Sequence, residues 1–423
     1  MPGESACGNL AGVISQFPLS IQEEFMNLIE ARPSRVPQQE LVDAALALRP
    51  LLRKNMAEAD ALRRIPESTV KALHDAGLWR AQTPRRFGGH EVPLATKMEI
   101  SAALGMGCGS TSWVFFIITI CAWLASLHCD KAQRDIWGEN PDARVCGVLP
   151  PWATTKKVKG GYEVTGKWAF SSGCYHADWA VLGIPMVDGE GNKFDDGLAL
   201  IPMKDIAIED TWHMAGMRAT GSNTLVTSQA FVPEYRVLRM SHAIEGNYDT
   251  EHKGEVCYQT SLFPQLAIEL AGPQLGLARA ALEYVSEKAG ARGVTYTKYE
   301  KQSQSVLHQM GIAEAAMMVD GAGLHCQRAV SDIWSAAERG DKMNYVARAR
   351  VRADTGWSVR LVQQAFDKLL SLHGTSAFAT SNPLQQWWRD SQVAGRHAIA
   401  DSMLNMEVYG GALLGADPIT PLV

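Results

Sequence analysis

The chain has 423 residues, 40 basic and 45 acidic, and 46 % of it is hydrophobic. That is too long for one compact core of ordinary size, so two or three packed units are expected, and a slightly acidic balance with no Lys/Arg-rich run excludes an electrostatic nucleic-acid footprint. The eight cysteines, at 7, 108, 121, 129, 146, 174, 257 and 326, form no CxxC and no paired spacing with histidine, which argues against a zinc or other metal site and against a disulfide framework, and for a reducing cytoplasm.

The start, Met1-Pro2-Gly3-Glu4, lacks the basic and apolar segments of a signal peptide, so export is not expected. Residues 1–50 read as an N-terminal extension with helical stretches at Gln22–Glu30 and Glu40–Leu48, parted by Pro33. Residues 51–141 read as a helical domain. Apolar residues recur at three and four over Leu51–Ile65 and Pro66–Ala76, with Pro66 suited to a helix start and Gly77 to a stop. Ile100–Cys129 has no Asp, Glu, Lys or Arg, and Trp113–Leu127 is almost wholly apolar. Gly105, Gly107, Gly109 and Ser110-Thr111-Ser112 interrupt the stretch, leaving ~15 apolar residues, which suits a buried core helix better than a membrane span.

Residues 142–236 change to short alternating runs, Gly161–Gly166, Trp179–Ile184 and Gly197–Ile201, flanked by Gly, Pro or Asp. They predict a small antiparallel β unit, with a hairpin at Asp188-Gly189 and Gly191-Asn192. Residues 255–423 return to helical patterns, with breaks at Gly290–Gly293, Gly340, Gly374 and Pro383, and predict a bundle of four or five helices. The fold class is therefore mostly α with a central β unit, and no internal repeat competes with it. Gly160-Gly161 and Phe87-Gly88-Gly89 lack the strand and helix context of a dinucleotide loop, so a nicotinamide site is not expected.

Two segments carry the candidate chemistry: Trp168–His176 (WAFSSGCYH) and Trp387–His397 (WWRDSQVAGRH). Both set polar groups among large aromatics, which suits an apolar ring system needing a few placed hydrogen bonds, such as a flavin. With Arg63-Arg64-Ile65-Pro66, Phe87-Gly88-Gly89, Gly109–Trp113, Gly221–Thr224 and Asp417-Pro418, in this order, the chain resembles the oxygenase components of two-component flavin-dependent monooxygenases, hydroxyphenylacetate hydroxylases being the nearest type.

The resemblance implies an acyl-CoA dehydrogenase-like fold, with an N-terminal helical domain, a middle β-barrel and a C-terminal four-helix bundle, assembled as a homotetramer. It implies reduced FMN or FAD from a separate NAD(P)H-dependent flavin reductase, O2 as co-substrate, a C4a-hydroperoxyflavin, and transfer of oxygen to an aromatic or heteroaromatic small molecule. By the same resemblance His397 sits beside the flavin C4a edge and Ser172 meets flavin N5, with Ser171 next to it. Trp168 and Phe170 wall the cofactor, Thr111 and Trp113 lie along the ring, Arg292 reaches a phosphate on a neighbouring subunit's flavin, and Thr375 and Ser376 approach the ring. Each also has an ordinary reading: helix cap, core aromatic, turn serine or solvated arginine.

Where the phenol hydroxylases carry a histidine and a serine that reach the substrate, this chain has Cys121 and Gly147, with Cys146, Leu149 and Trp152 nearby. The predicted pocket is correspondingly more apolar, although Cys121 also suits an inert core thiol. Two alternatives stay open. An acyl-CoA dehydrogenase-like enzyme needs a carboxylate base; Ala398 occupies its usual place, leaving Glu269 and Glu314. The other is an inactive scaffold of the same fold.

Overall fold

A computed structural model describes residues 38–423; the predicted helix Gln22–Glu30 lies outside the described residues. The first helices are α1 (Gln39–Ala47), α2 (Arg49–Leu62), α3 (Glu67–Asp75), α4 (Leu94–Gly105), α5 (Gly109–Ser126) and α6 (Asp130–Trp137). Pro50 sits in the first turn of α2, where a missing N–H costs nothing, and Arg63 ends that helix with φ 53°. Pro66 precedes α3, and Gly77 stops the chain beyond it with φ 70°. Every residue of α5 except Ile117 is buried. It has the length and composition of a membrane span, but its apolar surface on all sides is covered by protein.

Eight strands follow: β1 (Val145–Val148), β2 (Ala153–Val158), β3 (Gly161–Ser171), β4 (Trp179–Val187), β5 (Lys193–Pro202), β6 (Ala207–Glu209), β7 (Asn223–Pro233) and β8 (Val237–Arg239). They form two four-stranded sheets, ordered β1-β4-β5-β8 and β2-β3-β7-β6, in contact through β2 with β4 and β1 with β3. The β4–β5 hairpin forms at the predicted turn, where Asp188 Oδ1 accepts the N–H groups of Glu190 and Asn192, each at 2.9 Å. One pairing departs from the antiparallel expectation. β1 and β4 are parallel, because the chain passes through the β2–β3 hairpin of the other sheet before returning, and that detour is the crossover a parallel pair requires.

After the short α7 (Met240–Ile244) come α8 (Leu262–Ile268), α9 (Ala271–Ala289), α10 (Val306–Arg339), α11 (Tyr345–His373), α12 (Pro383–Ala394) and α13 (Ser402–Leu413). Gly340 and Gly374 end α10 and α11 with φ 68° and 76°, and Asn382 caps α12 by accepting Leu384 N–H at 3.0 Å. Among the described residues α8–α13 are six helices, more than predicted, because α8 and α9 part at Glu269-Leu270 inside one apolar stretch. α4 and α9 cross closely at Gly105 and Gly276; a Cβ on Gly276 would lie 2.2 Å from Ala102 O. α5 packs against both β1 and α12, and the two candidate segments meet at its start.

Candidate flavin site

β3 ends in a register shift between Trp168 and Ser171, and within it Phe170 takes φ 64°, a backbone conformation that is costly for a bulky residue. The irregularity turns Phe170 outward, 63 % exposed, with its ring edge-on to Trp212 at 6.1 Å. It delivers the buried Ser172 to the start of α5, where Trp113 Nε1–H donates to Ser172 Oγ at 3.0 Å. Ser222 Oγ is 2.7 Å from the same hydroxyl, and Thr220 Oγ1 is 2.6 Å from Ser222 Oγ.

His397 reaches this cluster from α12, with its ring centroid 5.9 Å from that of Trp113. It stands in the turn between α12 and α13 rather than on a helix, its N–H bonded to Ala394 O. Solvent reaches the side chain, yet desolvation by surrounding protein, helped by the charge of Arg352, pushes its pKa down to about 4. Ile399 N–H donates to His397 Nδ1 at 3.3 Å, which leaves Nε2–H of the neutral ring as the donor.

A buried serine fixed by an indole and a neutral imidazole therefore meet at Trp113, with the exposed ring of Phe170 two residues from that serine. These groups fit a reduced flavin, which needs an apolar face and an acceptor for its ring N–H. Comparisons with known proteins agree. Acyl-CoA dehydrogenase N-terminal and C-terminal domain models match residues 38–139 and 268–402. The oxygenase subunit HsaA of a flavin-dependent monooxygenase from Rhodococcus jostii RHA1 is 34 % identical over 377 residues, 88 % of this chain and 98 % of that one. The oxygenase component of an FADH2-dependent resorcinol hydroxylase from a Rhizobium species is 31 % identical, over 90 % of this chain and 96 % of that one. The structure of XiaF from Streptomyces in complex with FADH2 and glycerol superposes with a TM-score of 0.86 at 34 % identity, covering 95 % of this chain and 99 % of that one. The chain belongs to the flavin-dependent monooxygenase oxygenase components.

Against that family, the remaining predicted residues divide. Trp168 is a correction: it is fully buried inside the β unit and donates to Gly183 O at 2.8 Å, so it packs the core and walls nothing. Ser171 is equally sealed, facing Cys146 Sγ at 3.8 Å, and Thr111 is buried in the first turn of α5; neither offers surface to a cofactor in this chain. Arg292, Thr375 and Ser376 gather elsewhere. Arg292 reaches His373 Nε2 at 2.8 Å and Ser376 Oγ at 2.9 Å, beside the exposed Thr375. Asn382 Nδ2 also donates to His373 Nε2, at 3.0 Å, and burial with the Arg292 and Lys288 charges lowers the His373 pKa to about 4, so that ring is a neutral acceptor. Among the described residues this group makes no hydrogen bond to the Ser172 cluster.

Of the predicted substrate pocket, Cys121 and Gly147 come together: a Cβ on Gly147 would lie 2.9 Å from Cys121 Sγ and 2.5 Å from Val181 Cγ1. Cys146 lies behind them at Ser171 and Leu149 is half-buried nearby. Burial pushes the Cys121 thiol up to about 12, so it is a neutral apolar wall and no nucleophile. Trp152 is 46 % exposed and lines an open groove with Thr165 and Val226.

Sequence reasoning missed three features. Thr220 and Ser222 support Ser172; the Gly221–Thr224 block marked the place but not the role. Asp390 is buried and accepts Met217 N–H at 2.5 Å, tying α12 to the loop that carries Thr220. Lys97 Nζ and Glu269 Oε2 form a fully buried ion pair at 2.5 Å behind Cys121. Burial raises Glu269 and lowers Lys97, each opposed by the other's charge. Glu269 is thus paired with Lys97, and Glu314 with Lys368 at 2.6 Å on the surface.

Proposed function

We propose that this oxygenase component takes reduced FMN or FAD from a separate NAD(P)H-dependent flavin reductase and inserts one atom of O2 into an aromatic or heteroaromatic small molecule. The observation that carries this reading is the meeting of Ser172 and His397 around Trp113. Bound reduced flavin supplies the oxygen activation. Ser172 Oγ accepts the flavin N5–H, held in place by Trp113 Nε1–H. His397, neutral throughout the physiological range, presents Nε2–H to orient the oxygen to be transferred or the substrate. Phe170 gives the ring a flat apolar face, and Trp113 and Phe116, edge-on at 5.5 Å, keep water from the reacting atoms. Cys121 and Gly147 make the acceptor pocket apolar, which favours aromatic surface over a strongly polar substrate.

Two finer assignments belong with this reading. Leu307, Met310, Met317 and Leu324 are each 59–73 % exposed, and their spacing of three and seven places them on one face of α10, a stripe suited to burial between subunits of a homotetramer. In that assembly the Arg292 cluster, with Thr375 and Ser376, is the group that meets a neighbour's flavin phosphate, a guanidinium being a forked anion donor. All seven described cysteines are free, which suits the cytoplasm. The test is isotopic: with reduced flavin supplied by an unrelated reductase, labelled dioxygen should appear as a single labelled oxygen in the product from a panel of phenols, indoles and fused aromatics. Label only in peroxide across the panel would reject the reading.

A further inference from the structure

Three hydroxyls and one carbonyl stand in series behind Trp113 and Ser172. Thr220 Oγ1 is 2.8 Å from Met217 O, Ser222 Oγ is 2.6 Å from Thr220 Oγ1, and Ser172 Oγ is 2.7 Å from Ser222 Oγ. Each oxygen–oxygen contact at such distances needs one proton between the atoms, and each hydroxyl has one to give. A carbonyl has none. The Thr220 proton therefore lies on Met217 O, the Ser222 proton on Thr220, and the Ser172 proton on Ser222. No other arrangement supplies all three contacts.

The end of the series is held firmly. Met217 takes the left-handed conformation with φ 52°, its N–H donates to the buried carboxylate of Asp390 at 2.5 Å, and its carbonyl also accepts Trp212 Nε1–H at 2.9 Å. Thr220, Ser222 and Ser172 are all buried, so water does not compete for their protons. With its own proton committed to Ser222, Ser172 accepts Trp113 Nε1–H at 3.0 Å and keeps one further lone pair. In this arrangement Ser172 can only accept from any further partner.

We propose that Thr220 and Ser222 are positioning residues that set the direction of this hydroxyl chain, so that Ser172 selects reduced flavin, which carries an N–H at N5, against oxidised flavin, which offers only a lone pair there. The inference rests on the reading that Ser172 faces N5. An oxygenase that shares a diffusible flavin pool with a reductase gains from such selection, because oxidised flavin is then a poor competitor for the site.

Equilibrium titrations of the full chain with oxidised and with anaerobically reduced FAD, repeated with FMN, test it without turnover. Ser222→Ala removes the acceptor for the Ser172 proton, and Thr220→Val removes the acceptor for the Ser222 proton while keeping the shape; in both, the Ser172 hydroxyl becomes free to donate. Each is expected to bind oxidised flavin about tenfold more tightly relative to reduced flavin than the unaltered protein does, the worth of one buried hydrogen bond. Ser172→Ala instead weakens reduced flavin and does not tighten oxidised flavin. If Ser172→Ala alters neither form, Ser172 does not face the flavin and the site reading itself fails. If Ser172→Ala weakens reduced flavin while Ser222→Ala and Thr220→Val leave the redox preference unchanged, the proposal is overturned and the site reading stands.

Discussion

Replacing Asp390 with asparagine isolates the cost of one buried carboxylate. Asp390 is 1 % exposed, and burial raises its pKa to about 7, with Asp60 adding to the rise and the Met217 N–H and Arg389 opposing it. An unfolded aspartate titrates near ~3.9. Because the folded-state value is the higher one, the folded protein holds this proton more tightly; the stability it contributes is complete below about pH 4 and is lost as pH rises through about 7. Integrated between about pH 5 and pH 8, the loss is roughly 2–3 kcal/mol. Asparagine keeps the Oδ1 acceptor for Met217 N–H and does not titrate; its amide protons lack a ready partner, but that penalty is independent of pH. Urea unfolding of both proteins at the two pH values gives a double difference in which every other titrating group cancels. The unaltered protein should lose about 2–3 kcal/mol more than Asp390→Asn over that interval. An identical pH response in the two proteins would refute the assignment of a buried, proton-binding Asp390.

Lys97→Met should destabilise the protein by about 3–5 kcal/mol by leaving Glu269 buried and unpaired, whereas Lys97→Met combined with Glu269→Met should recover most of that loss in the same urea assay. Gly147→Ala is expected to cost about 1–3 kcal/mol, since its Cβ would press on Val181 and Cys121; a neutral result would mean that the acceptor pocket has slack there. Phe170→Gly relieves a positive φ and should raise thermal stability slightly while weakening flavin binding in an equilibrium titration; unchanged flavin affinity would remove Phe170 from the site. His397, with its pKa lowered to about 4, should contribute no inflection to the pH profile of product formation between about pH 6 and pH 9, and an inflection abolished by His397→Asn would contradict that.

Local chemistry made much of the frame legible. Pro66 and Gly77 bracket α3, Asp188 closes the β4–β5 turn, and Gly340, Gly374 and Pro383 punctuate the C-terminal helices. The inward placement of Trp168 has a single physical cause. In a regular strand residues two apart share a face, so Trp168 and Phe170 read alike; the register shift after Trp168 breaks that parity and sends one inward and the other outward. The supporting residues were hidden for another reason. Thr220, Ser222, Asp390 and the Lys97–Glu269 pair act through partners distant in the chain, and no spacing rule links a hydroxyl on one strand to a serine fifty residues earlier. The resemblance singled out Ser172 and His397; only the folded chain connects them to what holds them.

The central claim is that this chain holds reduced flavin so that it reacts with oxygen in a controlled way. Its most direct test is stopped-flow absorbance after anaerobic protein and reduced FAD, or reduced FMN, meet oxygenated buffer without substrate. The account predicts a long-lived absorbing species that precedes oxidised flavin, and a markedly shorter-lived one in Ser172→Ala. Reoxidation at the rate of flavin free in solution, with no such species for either cofactor, would contradict it.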